Sequence, residues 1–284
     1  VAHDPGGPPR RICVVGDLVL DVIARLHAEL APGDDVPADT ELHAGGQAAN
    51  VAAWAAELGA TARCIAPLAD DDAGRIIRAE LAGRGVEVVG PAAERTGVVV
   101  SLVGTDRDRS MASDRGAPAG LDPTAIDPAW LAGQDWLHVS GYLLSRAAGA
   151  GAAANAAEHA RAAGARVSLD ASSAALIEQV GADAFRERAA ILAPDVLFAT
   201  EAEIAAMGGE GAWPATLTVV KRGALGCTLH HSDGSADRRL PAVAATPVDA
   251  TGAGDAFAAG FLVGGPQLAL EAGARCVAGV GAMP

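Results

Sequence analysis

Aromatic residues are scarce: four Phe, four Trp and one Tyr amount to 3% of the 284 residues. Few faces are therefore free to stack a nucleobase, with Trp54, Trp130, Trp136 and Tyr142 as the candidates. Basic residues are outnumbered, 21 Lys and Arg against 35 Asp and Glu, for a formal charge of -14. That balance argues against a nucleic-acid or anionic-membrane surface, which needs a basic patch. It leaves a small anionic ligand open, because such a site needs only local donors. Only four cysteines occur, Cys13, Cys64, Cys227 and Cys276, with no C-x-x-C pair. They read as buried reduced thiols, which suits a reducing cytoplasm. No run approaches the ~20 apolar residues of a membrane span, and the opening VAHDPGGPPRR lacks the apolar core of a signal peptide. A soluble, cytoplasmic protein is expected. The phosphate-loop pattern G-x-x-x-x-G-K-[S/T] is missing as well.

Half of the chain is hydrophobic, enough for one large α/β domain or two small ones, with no need of disulfide or structural metal. Residues 1–10, rich in Gly and Pro, read as a disordered lead-in. Short β-branched runs such as Ile12–Val15 and Val196–Phe198 alternate with Ala-rich helical stretches such as 47–58 and 146–163. That rhythm predicts a mostly parallel, doubly wound sheet flanked by helices. Two segments break it, around 34–43 and 97–113. Both read as hairpin-like strands of a small β appendage.

The most informative stretch is Val248-Asp249-Ala250-Thr251-Gly252-Ala253-Gly254-Asp255-Ala256-Phe257. Glycines let the backbone approach a ligand closely, and a helix start presents free N–H groups and a positive dipole end to an anion. Asp255 falls in the first turn of that helix. A carboxylate beside an anion site is repelled unless it has a task, and accepting a proton from an attacking hydroxyl is such a task. An Asp placed there only for its favourable first-turn electrostatics is the alternative. A dinucleotide site is disfavoured because Phe257 replaces the third glycine of G-x-G-x-x-G.

Asp249–Asp255 resembles the C-terminal motif D-T-x-G-A-G-D of ribokinase-like (PfkB) carbohydrate kinases, with Ala250 in the second place. Gly45-Gly46-Gln47-Ala48-Ala49-Asn50 resembles the family's G-G-x-x-x-N, about 200 residues earlier. Order and local structure agree for both, and the similarity runs from about Arg11 to the end. The resemblance implies a ribokinase-like domain over 11–284, with the segments near 34–43 and 97–113 forming a β-sheet lid. It implies ATP-dependent phosphorylation of a sugar or sugar derivative, with Asp255 as base and the amides from Gly252 through Ala253 and Gly254 to Asp255 as an anion hole. Asp21, Gly45, Gly46 and Asn50 would bind the acceptor. Lys221, Gly223, Gly226, Thr251, Gly252 and Gly254 would serve the nucleotide. Thr200-Glu201-Ala202-Glu203 stands where the family carries N-x-x-E, so Glu203 would act toward Mg²⁺ while Thr200 replaces the Asn.

Each of these residues has a plainer reading beside it. Asp21 can be a turn or cap residue after the first strand, Glu203 part of an acidic first helical turn, and Lys221–Gly226 an ordinary β-turn. The resemblance also brings a monovalent cation near Gly281-Ala282, a homodimer through the lid, and a nucleoside as the alternative acceptor. A catalytically silent sugar-binding protein is the third reading.

Overall fold

The computed structural model describes residues 9–31, 33, 35–106, 109–114, 116, 121–209 and 213–284. Most of the expected lead-in, residues 1–8, lies outside them, as do residues 34, 107 and 108 of the expected lid.

The chain opens with β1 (Arg11–Val15), then β2 (Val19–Leu26) and β3 (Ala38–Gly45), which leads through Gly46 into α1 (Gln47–Glu57). Next come β4 (Thr61–Ile65), α2 (Asp72–Gly83), β5 (Val86–Val89), β6 (Gly97–Val103) and β7 (Arg109–Asp114). The middle third alternates β8 (Trp136–Ser140), α3 (Ala147–Ala162) and β9 (Arg166–Asp170), followed by α4 (Ala174–Val180) and α5 (Ala182–Leu192). After β10 (Val196–Thr200) and α6 (Glu201–Ala206) come β11 (Leu217–Lys221), β12 (Cys227–His231) and β13 (Arg238–Leu240). Helices α7 (Ala253–Gly264) and α8 (Pro266–Val277) close the described fold.

Nine strands form one sheet in the order β13-β12-β11-β10-β9-β8-β1-β4-β5. From β5 to β11 every pairing is parallel, and only β12 and β13 run antiparallel, at one edge. Parallel strands are covered on both faces, which is why they read as continuous apolar runs. In β1 the alternation is direct: Ile12 and Val14 join the core under α1, α2, α7 and α8, while Cys13 and Val15 join the one under α3, α5 and α6. All four cysteines are buried and unpaired. Burial pushes the Cys13 thiol up to about 12, so it stays protonated and inert.

A second sheet, β3-β2-β6-β7, stands apart from the first. Strand β2 pairs antiparallel with β3 and parallel with β6, and β6 pairs antiparallel with β7. The two segments expected around 34–43 and 97–113 supply three of its strands. The first runs later than expected, from Ala38 to Gly45, and β2 is an additional strand in the stretch where a turn or cap after β1 was one reading of Asp21. Its sequence VLDVIARL lacks a two-residue rhythm because both faces of β2 are only half buried from Asp21 to Leu26.

Neighbouring crossovers leave β1 in opposite directions, toward β4 and toward β8. The carboxyl ends of β1 and β8 therefore flank a crevice, the usual place for a ligand in an open α/β sheet. Asp17 just after β1, Ser140 ending β8, Asp170 ending β9, Thr200 ending β10 and Lys221 ending β11 all reach that edge.

Candidate active site

Helix α7 starts at this edge. Gly252 is its N-cap with φ 76°, and a Cβ there would stand 2.6 Å from the Cα of Ala282. Both the left-handed backbone and the close approach demand glycine. Asp249 builds the turn ahead of the helix: its Oδ1 accepts from the Thr251 N–H at 2.9 Å and the Thr251 hydroxyl at 2.6 Å. Its Oδ2 accepts from the Gly281 N–H at 3.2 Å. The Ala253 N–H is turned inward onto the Ala250 carbonyl at 3.3 Å. Among the residues expected to form the anion hole, Ala253 is therefore spent on the turn. The amides of Gly254 and Asp255, in the first helical turn, have no helical acceptor by geometry.

Asp255 meets helix α1 across the crevice. The Asn50 side-chain amide donates to Asp255 Oδ2 at 2.8 Å, and Gln47 adds a second side-chain bond. Burial raises the Asp255 carboxyl to about 7, the Asn50 bond opposes it, the charge of Asp170 adds to it, and Lys221 and Gln47 draw it back. The residue keeps a partial opening to solvent. A carboxyl balanced near neutrality and partly exposed suits a proton acceptor.

The paired glycines that precede α1 are explained by what lies against them. A Cβ on Gly45 would sit 2.2 Å from Asp21 Oδ2, and one on Gly46, at φ 96°, would sit 2.4 Å from the Asp17 carbonyl. Asp21 thus packs on the loop that starts α1. It lines a cleft of ≈ 170 Å³ together with Arg25, His43, Ser101, Thr251 and Ala282. That cleft runs from the cleft-facing side of the second sheet to the turn before α7. No Phe, Trp or Tyr lines it, and the ring it does carry is the His43 imidazole.

Lys221 is brought to the same place. Its Nζ donates to Asp170 Oδ2 at 2.6 Å, and a Cβ on Gly254 would lie 3.2 Å from it. Burial pulls the ammonium down, but the charges of Asp170 and Glu203 more than offset this and hold it above its usual value. Glu203 is buried, 6% exposed, and forms a capping box with Thr200. Its Oε2 accepts from the Thr200 N–H at 2.7 Å while the Thr200 hydroxyl accepts from the Glu203 N–H at 3.3 Å. Burial raises its carboxyl, with Lys221 pulling the other way. Among the described residues no group of three His, Cys, Asp or Glu side chains is arranged to hold a metal. The donor set fits an Mg²⁺ that arrives with phosphate and keeps its waters.

Gly223 and Gly226 sit apart from these contacts, in the turn between β11 and β12. Gly226, at φ 88°, lies against the β13 backbone, where a Cβ would meet the Leu240 carbonyl at 2.0 Å, while one on Gly223 would meet open space. The sequence reading missed Asp170 and Ser172, and it gave Gln47 and Asp249 no role beyond their places in the two motifs. The available sign for Asp170 was an acid closing an apolar strand, Arg-Val-Ser-Leu-Asp, since burial on both faces leaves no solvent for a charge except at the strand's end.

Comparison with known proteins agrees with this fold. The model of the "pfkB family carbohydrate kinase" matches residues 9–282. An ATP-dependent ribose-1-phosphate kinase from Halopiger xanaduensis is 32% identical over 248 residues, covering 82% of this chain and 78% of its own. Among solved structures, an adenosine kinase from Sinorhizobium meliloti superposes with a TM-score of 0.82 at 24% identity, over 98% of this chain and 96% of its own. A candidate ribokinase II from Escherichia coli, solved with ATP and Mg²⁺, gives 0.79 at 21% identity, over 96% and 94%. The fold is ribokinase-like.

Proposed function

The chain belongs to the pfkB family of carbohydrate kinases and is an ATP-dependent phosphotransferase; from that premise we propose that it phosphorylates a hydroxyl of a small sugar, with Asp255 as the base. The observation that carries this reading is the Asp255 carboxyl, raised to about 7 and bonded to Asn50 across the crevice. In the proposed reaction the acceptor lies in the cleft with Asp21, whose carboxylate can take two sugar hydroxyls, and Asn50 steadies the base. The γ-phosphoryl group faces the first turn of α7. There the amides of Gly254 and Asp255 meet the charge that develops on transfer, while Gly252 lets the chain approach. Asp255 takes the proton late, once the attacking oxygen has become acidic. Alignment and charge stabilisation then carry most of the acceleration. Mg²⁺ neutralises phosphate charge when bound, and Glu203 would reach it through water.

The acceptor class follows from the cleft and one relative. A nucleoside would need an aromatic or broad apolar face for its base. Trp54 and Trp136 are both buried at 3% exposure, with the Trp54 Nε1–H committed to the Ala282 carbonyl at 2.9 Å and the Trp136 ring covered by Arg166. A sugar fits better, and ribose 1-phosphate heads the acceptors to test because of the relative's activity. The same reading takes the second sheet as a lid that excludes water on closing. On it Leu42, paired with Val22, is 49% exposed, an apolar point for a second copy of the chain. Leu42→Asp should then leave a monomer by light scattering, and a wild-type monomer would contradict the dimer. The contact of Gly281 with Asp249 puts the last turn beside the anion hole, so a rise in turnover with potassium over sodium would test the cation.

The test is ADP release with Mg²⁺ and ATP across ribose 1-phosphate, ribose, fructose and adenosine. Turnover on one sugar or sugar phosphate well above adenosine supports the reading. Preference for adenosine moves it to the nucleoside alternative. Sugar binding by calorimetry without ADP leaves the silent binding protein.

A further inference from the structure

The strand ends carry an ion pair of which the motifs announce only Lys221. Asp170 closes β9 and Lys221 closes β11, with β10 between them. The register pairs Phe198 with Asp170 and Thr200 with Lys221, so the two side chains meet over the carboxyl end of the middle strand. Asp170 is 1% exposed and the Lys221 side chain 12%. Their contact, at 2.6 Å, is short and charge-assisted. The other Asp170 oxygen accepts from the Ser172 N–H at 2.8 Å. Ser172 itself holds a left-handed φ of 70°, unusual for a residue with a side chain. In that conformation its hydroxyl accepts from the Gly141 N–H at 2.8 Å and donates to Gln47 Oε1 at 2.6 Å. Gln47 in turn bonds Asp255. One strained corner therefore fixes both the Asp170–Lys221 pair and a support of Asp255.

We propose that Asp170, held by Ser172, is a positioning residue that fixes the Lys221 ammonium at the first turn of α7, beside the Asp255 carboxylate and the phosphoryl site. This rests on Asp255 as the base. An isolated buried ion pair is a poor source of stability, so its place next to Gly254 asks for another reason. Asp170, Glu203 and Asp255 surround one ammonium in a region shielded from water. Lys221 offsets part of their repulsion in the free enzyme and offers a cation when the γ-phosphoryl arrives. Asp255 is faced by Gln47 and Asn50 from α1, Asp170 from β9, Lys221 from β11 and the Cys276 thiol from α8. His138 in β8 faces the pair. It is fully buried, its Nδ1 is 2.9 Å from Ser168 Oγ, and burial pulls it down to about 4, so it is neutral and adds no charge.

Because the pair's two charges act on Asp255 with opposite sign, its two halves should shift the pH profile in opposite directions. In Asp170→Asn the acidic limb of kcat/KM moves to lower pH, since a carboxylate that opposed ionisation is gone. In Lys221→Met it moves to higher pH, with a larger KM for ATP. Each variant should lower kcat about 10- to 100-fold, the usual cost of losing a supporting group. ATP titrates alike in all of them, so differences between profiles report the protein. Lys221→Met leaves Asp170 buried and unpaired, which by itself destabilises the fold; the double variant Asp170→Asn/Lys221→Met removes both charges and should fold with a profile between the two. Shifts of both single variants in the same direction, or profiles of the folded Asp170→Asn and double variants unchanged from wild type, would overturn the proposal. Full activity of Asp255→Asn would instead remove the base on which it stands.

Discussion

The two sheets meet at the cleft but are built on opposite terms. On the nine-stranded sheet the groups that face the crevice are buried and locked. Asp170 is anchored by Lys221 and Ser172, Glu203 closes a capping box, and Gly252 fits against Ala282 with no room for a methyl group. On the four-stranded sheet, polar contacts lie near solvent: Arg25 pairs with Glu41 at 2.8 Å with both side chains a third or more exposed, and His27 with Asp39 at 3.0 Å. Burial makes each charge on the first sheet expensive and therefore informative, whereas exposed pairs are worth little. Groups that stabilise developing charge have to be fixed in advance. On the proposed reading the second sheet admits and encloses the acceptor and so has to move, and half-exposed strands with weak surface pairs open at low cost.

Asp255 should break the comparison most visibly, through stability. Its folded carboxyl lies at about 7 against an ordinary aspartate value of 3.8. A group raised in this way favours the fold below the unfolded value and loses that contribution as pH climbs through the folded one. Ionised Asp255 therefore costs up to about 4 kcal/mol at pH 8. Asp255→Asn should melt higher than wild type at pH 8, with the gap closing as pH falls toward 4. Equal melting at both pH values would mean that the carboxyl is not desolvated.

Gly252→Ala combines a left-handed φ with overlap on Ala282. Its expected cost is about 2–4 kcal/mol, read as a lower Tm and a kcat down about 100-fold. A neutral result would deny the close approach at the helix start. Asp21→Asn, on the other sheet, should raise KM for the acceptor about 10- to 100-fold and leave KM for ATP nearly unchanged, since a charged hydrogen bond is worth about 1.5–3 kcal/mol. A change confined to ATP would place Asp21 outside the acceptor site. Smallest of all, Glu41→Gln should change stability by less than about 1 kcal/mol. A larger loss would show that the lid's surface pairs matter as much as the buried ones.

The parts that were legible in the sequence are those whose cause is local. The turn of Asp249–Asp255 needs glycine where φ is positive and an Asp to bind the Thr251 amide, and both are neighbours in the chain. The parallel strands announced themselves because burial on two faces forces continuous apolar runs. Strand β2 was hidden because neither of its faces is fully covered, so VLDVIARL carries no rhythm. Glu203 was ambiguous between a metal role and an acidic first turn, and its Oε2 does cap the helix through Thr200. Asp170 and Ser172 were illegible for a different reason. Their partners Lys221 and Gln47 are 51 and 125 residues away, and only the parallel order of β8 to β11 and the packing of α1 bring them together. No spacing in the chain encodes that meeting.

The account stands most directly on turnover by Asp255→Asn beside wild type, with binding of ATP and acceptor followed by calorimetry in the same preparations. It predicts kcat reduced by about 1,000-fold or more with both ligands still bound, since a base acting with a fixed anion hole is lost at the transition state alone. Turnover within a few fold of wild type, with ADP still formed in proportion to acceptor, would contradict it.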